Sequence, residues 1–192
     1  MILPLILAAI TLNVTPIPGE SHTSGTGYGR NLVNSTAIGS QSRTKTTTRA
    51  MKWRAEIRIR EREERPERLS VESIYLARTG DGKLKELKRE TKDVVLDKNG
   101  CATLELESPK TTLTKQHTTV SRGGGFGGLN SGFQSTRTTT HGERIAGCVI
   151  RVFADGKFAK SWASDSRWTK ATQTEKFSVL ELEKKQSKIG LR

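Results

Sequence analysis

From Met51 to Arg60 the chain alternates strictly. Met51, Trp53, Ala55, Ile57 and Ile59 are apolar, while Lys52, Arg54, Glu56, Arg58 and Arg60 are charged. A period of two over this length puts the apolar side chains on one face of an extended strand and the charges on the other. The run Glu61 to Arg68, broken by Pro66, reads as a charged turn. Leu69 to Ala77 predicts a second strand, and Thr79-Gly-Asp-Gly a turn. A short third strand is expected over Lys83 to Leu87 and a fourth over Asp93-Val-Val-Leu-Asp. Asn99-Gly100 then sits between two apolar runs, which is a strong hairpin signal. Ala102, Leu104 and Leu106 form the inward face of a fifth strand, with Thr103, Glu105 and Glu107 outside. Cys148, Ile150, Val152 and Ala154 alternate again, Ala154-Asp-Gly-Lys turns the chain, and Phe158 and Trp162 follow. Beyond Trp168 the pattern supports two readings. Trp168, Ala171, Val179 and Leu182 fit a helical stripe, and Phe177 to Leu182 fits a terminal strand equally well.

Two long stretches carry no such pattern. Residues 19 to 47 are Gly, Ser, Thr and Asn with scattered Arg, which predicts a flexible arm. Within it Asn34-Ser-Thr matches a glycosylation acceptor. Between Ser108 and Gly142, two Thr-rich arms, Thr111 to Val120 and Gln134 to Thr140, flank a glycine-rich run from Gly123 to Gly132. The arms have β propensity but little apolar content, so a protruding hairpin or a long mobile loop is expected. Seven to eight short strands at spacings near ten residues predict an all-β sandwich or barrel. The organisation that follows is a leader or anchor over 1–18, the arm over 19–47, a β-domain over 48–183 and a fraying tail over 184–192.

Ile2 to Val14 is apolar, too short for an ordinary membrane span, and suits the apolar core of a secretory signal. An uncleaved anchor or a first core strand are the alternatives. Export implies a periplasmic, secreted or cell-surface location, where disulfides persist. The two cysteines, Cys101 and Cys148, each open an apolar run on strands that could be neighbouring or facing, and a Cys101–Cys148 disulfide is expected, with two buried free thiols as the alternative. Their separation and number exclude a CxxC redox pair and a four-cysteine zinc site.

Charge adds an anionic partner to the picture. The formal net charge is +13, and basic proteins meet nucleic acid, lipid head groups or acidic glycans. The excess is spread along the chain, but the stretches between Glu20 and Glu56 and between Glu107 and Glu143 hold no acid at all. They are either an anion-binding surface or a soluble exterior. Catalytic chemistry is missing. There is no G-x-S-x-G and no HExxH, and the acids Glu61, Glu63, Glu64 and Glu67 are interleaved with arginines. His117 and His141 could face each other across a hairpin with Glu143 nearby, but no metal or other cofactor is expected. Arg122-Gly-Gly-Gly-Phe-Gly-Gly lacks the lysine of a phosphate loop and resembles one unit of an RGG-type nucleic-acid segment.

The stretch Gly147-Cys-Val-Ile-Arg-Val-Phe-Ala-Asp-Gly-Lys-Phe-Ala-Lys-Ser-Trp-Ala-Ser resembles the closing hairpin of small exported immunoglobulin-like proteins of the planctomycete–verrucomicrobial bacteria. The resemblance implies an immunoglobulin-like β-sandwich followed by a short C-terminal helix, and an envelope or pilus-associated role. No Trp lies between the two cysteines, so the usual immunoglobulin pin is absent. The function expected is a non-enzymatic interaction module of the cell envelope. It would engage a protein partner or itself through the Thr/Gly hairpin, with Arg122, Phe126, Phe133 and Arg137 as contact residues and no small-molecule substrate. The alternative is a module that binds nucleic acid or another polyanion through the same hairpin.

Overall fold

The computed structural model describes residues 10–32, 38–59, 65–122, 133–174, 177–180 and 182, with side chains for all of these except 27–32, 38–40, 121, 122 and 133. Ten strands account for most of them: β1 (Ile10–Ile17), β2 (Ser21–Leu32), β3 (Ile38–Arg49), β4 (Lys52–Ile59), β5 (Leu69–Thr79), β6 (Leu84–Val94), β7 (Cys101–Glu107), β8 (Thr111–Arg122), β9 (Phe133–Ala154) and β10 (Lys157–Ala163). One sheet runs β1-β4-β7, and a larger one runs β2-β3-β8-β9-β5-β6 with β10 also on β9. Every pairing is antiparallel.

The long strand β9 belongs to two structures in turn. Its first half, Phe133 to Gly142, pairs with β8, and from Glu143 onward it pairs with β5 and β10. The larger sheet is therefore two sheets in series. The part β6-β5-β9-β10 faces β1-β4-β7, and together they make an all-β, immunoglobulin-like sandwich of seven strands. The part β2-β3-β8-β9 is a four-stranded extension. It is built from an insertion between the first two sandwich strands and a second insertion ahead of the sandwich half of β9.

The sandwich forms because its strands alternate. Trp53, Ala55, Ile57 and Ile59 of β4 are buried, while the residues between them are exposed or half-buried. They meet Ile10 and Val14 of β1, Leu106 of β7, Val71 and Tyr75 of β5, and Cys148, Ile150 and Val152 of β9. The Trp53 and Tyr75 rings lie 6.1 Å apart. On the outer face of the small sheet the charges pair across strands, Lys52 with Glu107 and Arg54 with Glu105. The second sheet is covered on both faces. A 3-10 turn (Ser166–Trp168) and the short helix α1 (Thr169–Thr172) bring Trp168, Ala171, Phe177 and Leu182 against Ile74, Leu76, Leu84 and Val149. Two-sided cover explains why Ile74 to Ala77 and Cys148 to Ile150 are continuous buried runs. Arg151, 3% exposed, holds this layer together. It donates to Glu72 at 2.7 Å and to the Thr174 carbonyl at 2.6 Å, and its guanidinium stacks on Phe153 and Phe158.

Several expectations need correction. The folded region begins at or before Ile10, because the second half of the apolar N-terminal segment is β1, in register with β4. Residues 1–9 lie outside the described residues, as do Asn34, Glu61, Glu63, Glu64 and the 184–192 tail. The flexible arm expected over 19–47 instead supplies β2 and β3. The third and fourth strands are one strand, β6, whose charged middle faces outward along β5. Asn99-Gly100 does form a tight turn, with Gly100 at φ +77 and Asp97 Oδ1 accepting from the Asn99 and Cys101 amides. It joins strands of different sheets rather than a hairpin, because β6 pairs with β5 and β7 with β4. Residues 179, 180 and 182 are helical, so no terminal strand forms there.

Candidate anion-binding site

The extension brings together the two acid-free stretches of the sequence. β2 and β3 come from one and β8 from the other, together with the first half of β9. Residues 21–55 and 108–142 hold six and four Lys or Arg and no Asp or Glu, so they carry ten of the +13 formal charges. The rest of the chain is nearly balanced.

Threonine explains why these segments are strands without a core. Its branched Cβ favours extended backbone even when the residue is wet. Threonine hydroxyls also bond across the strands, Thr46 to Thr114 at 3.3 Å, Thr48 to Thr112 at 3.1 Å and Thr119 to Thr136 at 3.4 Å. Among the described side chains, β2 is exposed throughout and no residue of 134–142 is buried. Gly142, at φ +92, is where β9 leaves the extension. A Cβ there would stand 2.2 Å from the Thr112 carbonyl oxygen, so only glycine permits the crossing.

Register sorts the side chains by face. Cross-strand partners share a face, so Lys45 lies with Lys115, Arg43 with His117, Thr47 with Leu113 and Arg49 with Thr111. The other face carries Thr44, Thr46, Thr48, Thr112, Thr114 and Thr118, with Arg137 as its described cation. The basic face turns toward the sandwich and closes a cleft of about 620 Å³. Lys45, Arg49 and Lys115 line one wall, and Arg78, Arg144 and Arg167 line the other. Glu143 and Asp165 also reach the cleft, but both are engaged. Glu143 takes Lys85 at 2.6 Å. Asp165 is chelated by the Arg167 guanidinium, which holds its carboxyl below the usual range. Lys45, Arg49, Lys115 and Arg144 have no carboxylate partner among the described residues. The wall includes Trp168, which is 1% exposed and whose indole N–H has no acceptor among the described residues.

The residues singled out from sequence are only partly brought together. Arg122 and Phe133 are register partners at the far end of β8 and β9, and Arg137 is exposed opposite Thr118. Phe126 and the glycine run 123–132 lie outside the described residues. His117 and His141 do not face each other. His117 shares its face with Thr138, to which it bonds at 2.9 Å, and His141 points to the opposite face beside Thr114. No group of three metal-ligating side chains occurs among the described residues. The Cys101–Cys148 disulfide is not formed, and both thiols are free. Cys148 is buried against Tyr75 in the large sheet, whereas Cys101 starts β7 in the small one beside the Asn99 carbonyl. Burial raises the Cys148 thiol far above its ordinary range, which disfavours the reactive thiolate.

None of the cations that line the cleft was singled out by sequence. The two acid-free stretches were the available signal for Lys45, Arg49 and Lys115. Nothing local marks Arg78, Arg144 or Arg167, which become neighbours only through the fold.

No protein-family model matches the chain, and no curated protein is significantly similar to it. The X-ray structure of a Northeast Structural Genomics Consortium target aligns with 71% of this chain and 88% of its own at 9% identity, with a TM-score of 0.17. That value is too low to carry an argument about fold or function. Among the described residues no helix is long and apolar enough to cross a membrane.

Proposed function

We propose that this protein is a non-catalytic interaction module of the cell envelope whose contact element is the four-stranded extension and whose partner is anionic. The observation that carries this reading is the extension's composition: two stretches far apart in sequence combine into one sheet without a carboxylate. A sheet exposed on both sides contributes no core, so its composition answers to what lies outside it. Within the sandwich, several charges pair across strands, as Lys52 does with Glu107 and Arg54 with Glu105. In the extension, Lys45 stands directly opposite Lys115, an arrangement that destabilises a sheet unless something anionic lies over it. Export supports an envelope location only if any leader is removed ahead of Ile10, since a cut near residue 18 would strip β1 from the small sheet.

The test is retention of the full chain on immobilised polyglutamate, a sulfated glycan and polyphosphate as salt is raised. A variant with Arg43, Lys45 and Lys115 all changed to Gln serves as comparison. Retention that falls steeply with salt, and is largely lost in the variant, supports the reading. Absent or salt-insensitive retention on all three overturns it.

A further inference from the structure

The cleft between the extension and the sandwich has the dimensions of a ligand site rather than of a general charged surface. Its volume, about 620 Å³, lies in the range of small-ligand pockets. Its cations come from two walls. On the extension they are Lys45, Lys115 and Arg49, and on the sandwich they are Arg78, Arg144 and Arg167. We infer that this cleft holds a segment of an acidic polysaccharide, its carboxylate or sulfate groups on Lys45, Arg49, Lys115 and Arg144 and its sugar hydroxyls on the intervening threonines.

Three observations carry the choice of ligand. First, the cations are strung out. Lys45 and Arg49 are four residues apart on one strand, so their Cα atoms are separated by about 13 Å. Side chains that stand roughly perpendicular to the sheet keep that spacing, which repeated charges along a polymer match better than one small anion does. Second, the positions between and beside the cations are hydroxyls. Thr47 and Thr111 line the cleft, and Thr140 lies opposite Lys115 on the same face. Hydroxyls in a rank can exchange hydrogen bonds with a polyol. Third, single-stranded nucleic acid calls for exposed aromatic rings on which bases stack. Of the two aromatic rings that line this cleft, Trp168 is buried to 1% exposure in the core beneath, and His117 is held by its hydrogen bond with Thr138.

The inference rests on the anionic-partner reading and adds the place and the ligand. The test compares three variants of the full chain by titration calorimetry at fixed salt. The probes are a heparin-derived octasaccharide, a polygalacturonate oligomer, a single-stranded oligonucleotide of equal charge and neutral dextran. Lys45→Gln with Lys115→Gln should weaken binding of both acidic glycans by about tenfold or more and lower the salt slope. Arg137→Gln, on the opposite face, should change it by less than about twofold. Lys45→Arg with Lys115→Arg should retain binding, which separates lost charge from lost folding. If Arg137→Gln is as damaging as the cleft pair, the site is not the cleft. If the oligonucleotide binds more tightly than either glycan, the ligand class is wrong. In both cases the anionic-partner reading stands. If no charged probe binds more tightly than dextran, both fall.

Discussion

The sandwich and the extension are both antiparallel sheets of similar strand length, yet they are held together in opposite ways. In the sandwich the side chains decide everything. Alternation buries one face of β4, two-sided cover buries both faces of β5 and of the second half of β9, and several charges are paired across strands or buried with partners. In the extension the backbone decides. The ladder hydrogen bonds, threonine's preference for extended backbone and a few hydroxyl pairs hold four strands that bury almost nothing. A sheet without an apolar face has weakly specified register. Here register is borrowed from the sandwich, because β9 is one continuous strand through both and β3 runs into β4 across only Ala50 and Met51. The difference makes the sandwich the scaffold and leaves the extension's sequence unconstrained by a core.

The largest expected effect comes from the sandwich core. Trp53→Ala removes a fully buried ring from contact with Tyr75 and should cost about 3–5 kcal/mol. Thr46→Ala with Thr114→Ala, at a half-exposed hydroxyl pair of the extension, should cost under about 1 kcal/mol. Urea midpoints measure both. Comparable losses would mean that the extension is part of the cooperative core, and the division drawn here would fail.

Next in size is the buried ion pair. Glu72→Gln leaves Arg151 without its main carboxylate partner inside the second sheet, and a loss of about 3 kcal/mol is expected. The same change should loosen the C-terminal layer, because Arg151 also holds the Thr174 carbonyl. Hydrogen exchange should therefore rise around Trp168 to Thr172 and stay unchanged in β3 and β8. Equal rises in both places would show that the two regions are coupled.

How much of this was legible follows from the same contrast. Most strands whose pattern alternates were readable, because burial on one face imposes a period of two: β4, the start of β9's second half and β7 are examples. β2 and β3 were not readable, since Gly and Thr on a sheet exposed on both sides leave no period. The single strand β6 was split in two by its run of charges, which are outward along β5 and engaged there, as Arg89 is with Glu72. β1 was masked by its resemblance to a leader, because a short apolar run serves either purpose. The cleft was half legible. Its sheet wall was visible as two acid-free stretches, but the contact between them is a tertiary pairing of Ile38–Arg49 with Thr111–Arg122.

A smaller effect separates the regions by pH. All Asp and Glu of the described residues lie outside β2, β3, β8 and the first half of β9. Glu90 is lowered chiefly by its hydrogen bond from Lys88, and Asp165 chiefly by that from Arg167. A carboxyl lowered on folding stabilises fully above its unfolded value and loses that contribution as pH falls through its folded one. Stability should thus decline below about pH 4, the ordinary carboxylate range, with the sandwich responsible. Glu90→Gln should flatten part of the decline in urea midpoint. An unchanged acid limb would mean that these pairs contribute nothing.

The smallest effect is the most informative about the division between scaffold and surface. Lys115→Glu replaces a like-charge cross-strand pair with an opposite-charge pair opposite Lys45. Such a swap in an exposed sheet should stabilise the extension by about 0.5 kcal/mol. The gain should shrink as salt is raised, because screening removes the original repulsion and the new attraction alike. Hydrogen exchange in β3 and β8 at low salt would read it directly. The same substitution puts a carboxylate into the cleft and should abolish binding of acidic ligands. A variant that is locally more stable and functionally silent would show that the repulsion between Lys45 and Lys115 is maintained for a ligand. Neither gain nor loss would mean that the two lysines extend away from one another into water, and the pairing would carry no information about function.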